Sequence, residues 1–119
     1  MRNLSTRRGN TPVAGGANAT GAGAISLTYA PTHFFDLLAL YVHFSAALTT
    51  SESLTVTLDS VLGTAYDTVL FSVDPSIGAA TDIVHNFEKL QLRAGDAVVV
   101  AYTNTDAVTY GVHLNAEVY

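Results

Sequence analysis

From Ile25 to Tyr119 apolar side chains recur at every second position, and no stretch keeps the 3.6-residue period of a helix, so the chain is bound to β-strands. Ile25-Ser-Leu27-Thr-Tyr29 alternates and stops at Pro31. A longer run from about Phe35 to Leu48 puts Leu38, Leu40, Val42, Phe44 and Ala46 on one face, with Ala39, Tyr41, His43 and Ser45 on the other. Leu54-Thr-Val56-Thr-Leu58 has an apolar face and a threonine face, which suits a sheet with one solvated side. Tyr66 to Val73, Thr81 to Phe87, a short piece at Leu90 and Leu92, Ala97 to Tyr102 and Val108 to Val118 complete eight candidate strands. Gly63, Asp74-Pro75-Ser76-Ile77-Gly78, Arg93-Ala-Gly95-Asp96 and Asn104-Thr-Asp106 supply the turn chemistry between them.

Strands this short and evenly spaced predict an all-β, antiparallel β-sandwich, either jelly-roll-like or immunoglobulin-like. The chain has no cysteine and no tryptophan, the usual marks of an immunoglobulin domain, so the jelly roll is the expected form. The predicted core includes Leu40, Val42, Phe44, Leu54, Val56, Leu58, Val99, Val112 and Leu114. Ala97 to Tyr102 is apolar on both faces, which places it centrally or beneath a partner. With 119 residues there is room for one such domain, which buries roughly 65% of the surface its unfolded chain exposes.

Charge divides the chain in two. Residues 1–24 carry Arg2, Arg7 and Arg8 and no acid, while residues 25–119 carry all ten acids against Lys89 and Arg93. Residues 9–24 are Gly, Ala, Asn and Thr with little else; they read as a flexible linker whose small residues also allow another backbone to approach. The expected organisation is an extended basic N-terminal arm over 1–24 and a sandwich over 25–119. Only 13% of residues are charged and 49% are hydrophobic, a surface poor in charge for a monomer and suited to a subunit that stays assembled. Nucleic acid is disfavoured as a partner, because three arginines neutralise about three phosphates and the body repels the rest. The longest apolar stretch is broken by Asp36, His43 and Ser45 and does not suit a membrane span; no apolar segment follows the first arginines, so no secretory signal is expected.

The chemistry-bearing residues do not converge in sequence. His33, His43, His85 and His113 form no metal-ligand spacing, although His43 and His113 would meet if their strands paired. Asp67, Asp74 and Asp82 match no calcium loop, no Gly-x-Ser-x-Gly elbow is present, and the glycine pairs lack a phosphate-binding lysine. The expectation is a non-enzyme with no cofactor and no metal. Tyrosines in strands serve as interface anchors, so Tyr41, His43, His113 and Tyr119 join Arg2, Arg7 and Arg8 as predicted partner-binding residues. A carbohydrate-binding module is the alternative, with the tyrosines as stacking platforms.

Three segments carry a resemblance: Leu58-Asp-Ser-Val-Leu-Gly-Thr-Ala-Tyr-Asp-Thr-Val-Leu-Phe-Ser-Val73, Leu92-Arg-Ala-Gly-Asp-Ala-Val-Val-Val-Ala-Tyr-Thr-Asn104 and Val108-Thr-Tyr-Gly-Val112. Together, about half the chain, they resemble small β-sandwich virion proteins of tailed bacteriophages. The resemblance implies a capsid decoration (cement) protein or other head-associated subunit, assembled in the host cytoplasm and located in the virion. Its implied partners are itself, as a homo-oligomer with a trimer expected, and a capsid or head shell protein.

Overall fold

A computed structural model describes residues 11–119. Eight strands form two four-stranded antiparallel sheets. They are β1 (Val13–Gly21), β2 (Ile25–Tyr29), β3 (Phe35–Phe44), β4 (Leu54–Asp59), β5 (Thr68–Val73), β6 (Asp82–Leu92), β7 (Ala97–Tyr102) and β8 (Tyr110–Val118). The first sheet has the order β1-β8-β3-β6 and the second β2-β7-β4-β5. Four nested pairs account for both orders: β1 with β8, β2 with β7, β3 with β6 and β4 with β5. The chain is therefore one long antiparallel ribbon whose successive pairs lie alternately in the two sheets, joined sideways by β3–β8 and β4–β7. This is the jelly-roll order.

The core lies between the sheets. Leu40, Val42, Phe44, Leu54, Val56, Val112 and Leu114 are buried there as the alternation predicts, and Leu58 packs against it half-buried. Each such side chain contributes about 1.5–3 kcal/mol when fully withdrawn from water. Val99 faces outward instead, and its neighbours Val98 and Val100 fill the core. In β3 the phase changes partway: Phe35 and Leu37 point inward, Leu38 is an extra residue relative to β8, and Leu40 then resumes the inward series. A bulge of this kind turns one side chain aside, so Leu38 leaves the face on which simple alternation places it. Beside it, β6 carries Glu88 and Lys89 in the left-handed region, with Asn86 Oδ1 accepting the Glu88 N–H at 2.7 Å. The segment at Leu90 and Leu92 is thus the far half of β6, beyond this bulge.

The largest departure from the sequence reading is β1. Val13–Gly21, expected as linker, is a strand paired with β8 from Val13↔Val118 to Gly21↔Tyr110. The boundary drawn at residue 24 therefore falls beyond a full strand of the first sheet. Its composition follows from its position: a Cβ on Gly16, at φ +127°, would stand 2.1 Å from the Leu114 carbonyl oxygen. Only glycine lets the two backbones meet there. At the opposite edge of the sandwich, Phe71 of β5 stacks on His85 of β6 at 4.1 Å, and His85 meets Phe87 edge-on at 4.7 Å.

The turns collect at two ends. One end gathers the start of β1, the 30–34, 60–67 and 93–96 connections and Tyr119; there the buried Asp96 accepts the backbone N–H groups of Val61 at 2.8 Å and Arg93 at 2.9 Å. The other gathers 22–24, 45–53, 74–81 and 103–109, where the buried Asn104 amide donates to the Gly23 carbonyl at 2.8 Å and the Val108 carbonyl at 3.0 Å.

Candidate functional site

The outer face of the first sheet brings together three of the predicted partner-binding residues. Pairing of β3 with β8 sets Tyr41 opposite His113, with ring centroids 6.0 Å apart. Register extends this row across the sheet, from Asn18 on β1 through His113 and Tyr41 to Val84 on β6. The next row runs from Thr20 through Gly111 and His43 to Asp82. Gly111 has no side chain in the middle of that row, and a shallow groove of about 460 Å³ follows, lined by Asn18, Thr20, Tyr41, His43, Asp82, Val84 and His113 among others. Val84 is 69% exposed and Tyr41 43%, so the apolar part of this face stands in water.

His43 Nδ1 and Asp82 Oδ1 are 2.6 Å apart, with both side chains about two-thirds exposed. Hydrogen bonds from His43 and then from Thr81 hold the Asp82 carboxyl below the usual range. A histidine oriented by a carboxylate is two of the three members of a nucleophilic triad, but the hydroxyl recorded at this pair, Thr81 Oγ1, donates to Asp82 at 3.1 Å rather than meeting the imidazole. Among the described residues no three metal-ligating side chains converge.

Tyr119 lies elsewhere. Its hydroxyl donates to Asp36 Oδ2 at 2.5 Å and its backbone N–H to the Phe34 carbonyl at 3.0 Å, so the side chain is committed to a carboxylate that is only 6% exposed. Arg2, Arg7 and Arg8 fall outside the described residues. Sequence reasoning missed Asn18 and Thr20, because β1 carries no hydrophobic signal, and Val84, because a lone apolar residue among polar neighbours has no face until its strand has partners.

The ends are surfaces too, and they differ. At the end where β1 begins, Phe34, Val61, Leu62 and Tyr66 are exposed by 53%, 52%, 54% and 59%. At the other end Glu52, Asp74 and Asp106 are fastened by serines and threonines: the Thr50 hydroxyl donates to Asp106 at 2.5 Å, the Thr105 hydroxyl to Glu52 at 2.7 Å and the Ser51 hydroxyl to Asp74 at 2.5 Å. Hydrogen bonds from Thr50 and Thr49 pull the Asp106 carboxyl down to about 2.

No protein-family model matches the chain, and no curated protein does. Among solved structures it is similar to a chain of tomato aspermy virus, with 8% identity and a TM-score of 0.34 over 98% of this chain and 81% of that one. It is also similar to a chain of Desmodium yellow mottle tymovirus, with 10% identity and a TM-score of 0.34 over 99% of this chain and 93% of that one. The resemblance to phage virion proteins rests on the sequence segments alone.

Proposed function

We propose that the chain is a non-enzymatic virion structural protein, a capsid decoration or other head-associated subunit of a tailed phage. It binds copies of itself, as a trimer, and a shell protein. The observation that carries this reading is the apolar end: Phe34, Val61, Leu62 and Tyr66 stand in water on connections that share one end of the sandwich. Exposed apolar clusters of this kind mark interaction sites. A low charged fraction and the arginines Arg2, Arg7 and Arg8 in the sequence ahead of β1 support the same reading. Sedimentation or light scattering of the full chain at tens of micromolar tests it. A trimer that the V61D/L62D variant loses while remaining folded is the expected result; a wild-type monomer overturns the assembly.

The carbohydrate-binding alternative draws on the groove over Gly111, where Tyr41 offers a stacking surface and Asn18, Thr20 and His43 offer hydrogen bonds. It has one exposed tyrosine, where a sugar platform uses several aromatic faces. Titration with a glycan panel by calorimetry separates the two readings, since heat that Y41A abolishes belongs to the module.

A further inference from the structure

The outer face of the first sheet is patterned along its strands. Lysine and arginine occur twice after residue 24, and Lys89 is the one on this face: its ammonium reaches from β6 across β3 to 4.0 Å from the Glu117 carboxylate of β8. Toward the other end of the same strands stand Asp82, about two-thirds exposed, and Gly111, whose missing side chain leaves the groove open. Between these ends Tyr41 and Val84 form a ridge. A second hollow, of about 410 Å³, adjoins the ridge on the Lys89 side and is lined by Ala39, Asn86, Asn115 and Lys89 among others. The order along the face is therefore cation, hollow, ridge, then groove with carboxylate.

Backbone strain sets Lys89 in this place. Glu88 and Lys89 have φ of +56° and +57°, two successive left-handed residues where asparagine and glycine fit most readily. Strained residues of this kind persist where their side chains are used. The chain keeps two charged side chains on a bulge that Asn-Gly would form more easily, and both line the hollow.

Turned end for end, this pattern is its own complement. A two-fold axis lying across the strands, between the rows of Ala39 and Tyr41, lays the Lys89 end of one copy on the Asp82 end of another. The Tyr41–Val84 ridge of each copy then enters the other's hollow over Ala39, Lys89 reaches Asp82 and the open groove over Gly111, and Glu88 and Glu117 come beside His43. A two-fold axis along the strands instead sets Lys89 over Ala14 and Asp82 over Thr20, with no charges opposed. We propose that this face is an isologous interface with a second copy of the chain, built on the crosswise two-fold. Four strands about 4.8 Å apart and about 30 Å long cover roughly 600 Å² per copy, or about 1,200 Å² for the pair, the low end of specific interfaces. A contact of that size is weak, so it forms near about 1 mM or between subunits already held side by side. It goes beyond the apolar end and does not use it.

The V61D/L62D variant, which removes the apolar end, isolates this contact. In a dilution series from about 1 mM, NMR diffusion is expected to show dimers, with concentration-dependent shifts of the Val84, Lys89 and Gly111 amides. A monomer without those shifts overturns the proposal. In the same background K89D and D82K each weaken association about tenfold, because a two-fold axis repeats every charge pair. An equimolar mixture of the two restores it, since one copy then carries only acids at these positions and the other only lysines. A mixture as weak as its components overturns the proposal. Wild-type trimers whose V61D/L62D variant stays monomeric sink this face alone, whereas V61D/L62D dimers from a chain that forms no trimer support the face and sink the apolar-end reading.

Discussion

Tyr29 of the second sheet reaches over Gly15 of the first, close enough that a Cβ on Gly15 would lie 2.5 Å from the tyrosine hydroxyl. Burial raises the pKa of this phenol, and a hydrogen bond with the Gly16 backbone partly opposes the shift. The contact closes the edge of the sandwich where β1 and β2 run side by side. Gly15→Ala meets a movable side chain and is expected to cost about 1–2 kcal/mol. Gly16→Ala meets the Leu114 carbonyl with a backbone angle that L residues rarely adopt, and is expected to cost about 2–4 kcal/mol. Urea unfolding measures both, and hydrogen exchange shows whether β8 amides lose protection first.

Neighbouring valines in β7 test the phase of the strand. Val100→Ala removes a fully buried side chain and is expected to cost about 1–3 kcal/mol, and Val56→Ala across the sheet the same. Val99→Ala, on the outer face, is expected to cost well under about 1 kcal/mol. Equal losses at Val99 and Val100 contradict the observed facing.

Tyr119, expected at a partner surface, donates its hydroxyl to Asp36. Tyr119→Phe keeps the ring and removes the donor from a carboxylate that is buried, so the unfolding midpoint falls while self-association is unchanged. The reverse outcome, a stable protein that no longer associates, assigns Tyr119 to the interface.

Acid stability follows from the second end. Asp106, Asp74 and Asp82 have carboxyl pKa values below those of the unfolded chain, so their contribution is complete above the unfolded value and is lost as pH falls through the folded ones. The melting temperature is expected to be flat as regards these groups above about pH 5 and to drop between about pH 4 and 2. Asp106→Asn shrinks that drop.

At high pH the sign reverses. Tyr102, pushed up to about 12 by burial and by the acids near it, stays protonated while an unfolded tyrosine ionises near 10. Stability present below about pH 10 is therefore lost as pH rises toward 12. Absorbance at the phenolate band, followed with circular dichroism, shows Tyr102 ionising only as the sandwich opens.

Much of the architecture was legible because a half-buried strand leaves a two-residue period in its own sequence, as in Leu54–Leu58 and in Val112, Leu114 and Ala116. Leu38 and Val99 were misplaced because a bulge and a doubly apolar strand erase the phase that alternation provides. Val13–Gly21 was missed for a deeper reason: its side chains bury little, and its strand form comes from hydrogen bonds to β8 and from room that glycine leaves, both supplied by a partner strand far along the chain, from Val118 opposite Val13 to Tyr110 opposite Gly21. The pairing of Tyr41 with His113 was visible only as a condition, since the alternation shows which way each residue points but not which strand lies beside it. Thus the chain's own pattern determined most strands from Ile25 onward, the turns and the division of charge, all local properties of neighbouring residues. Tertiary structure alone decided the nested order of the sheets, the groove over Gly111 and the separation of an apolar end from an acidic one. Those depend on register between distant strands, and register is settled by the whole core at once.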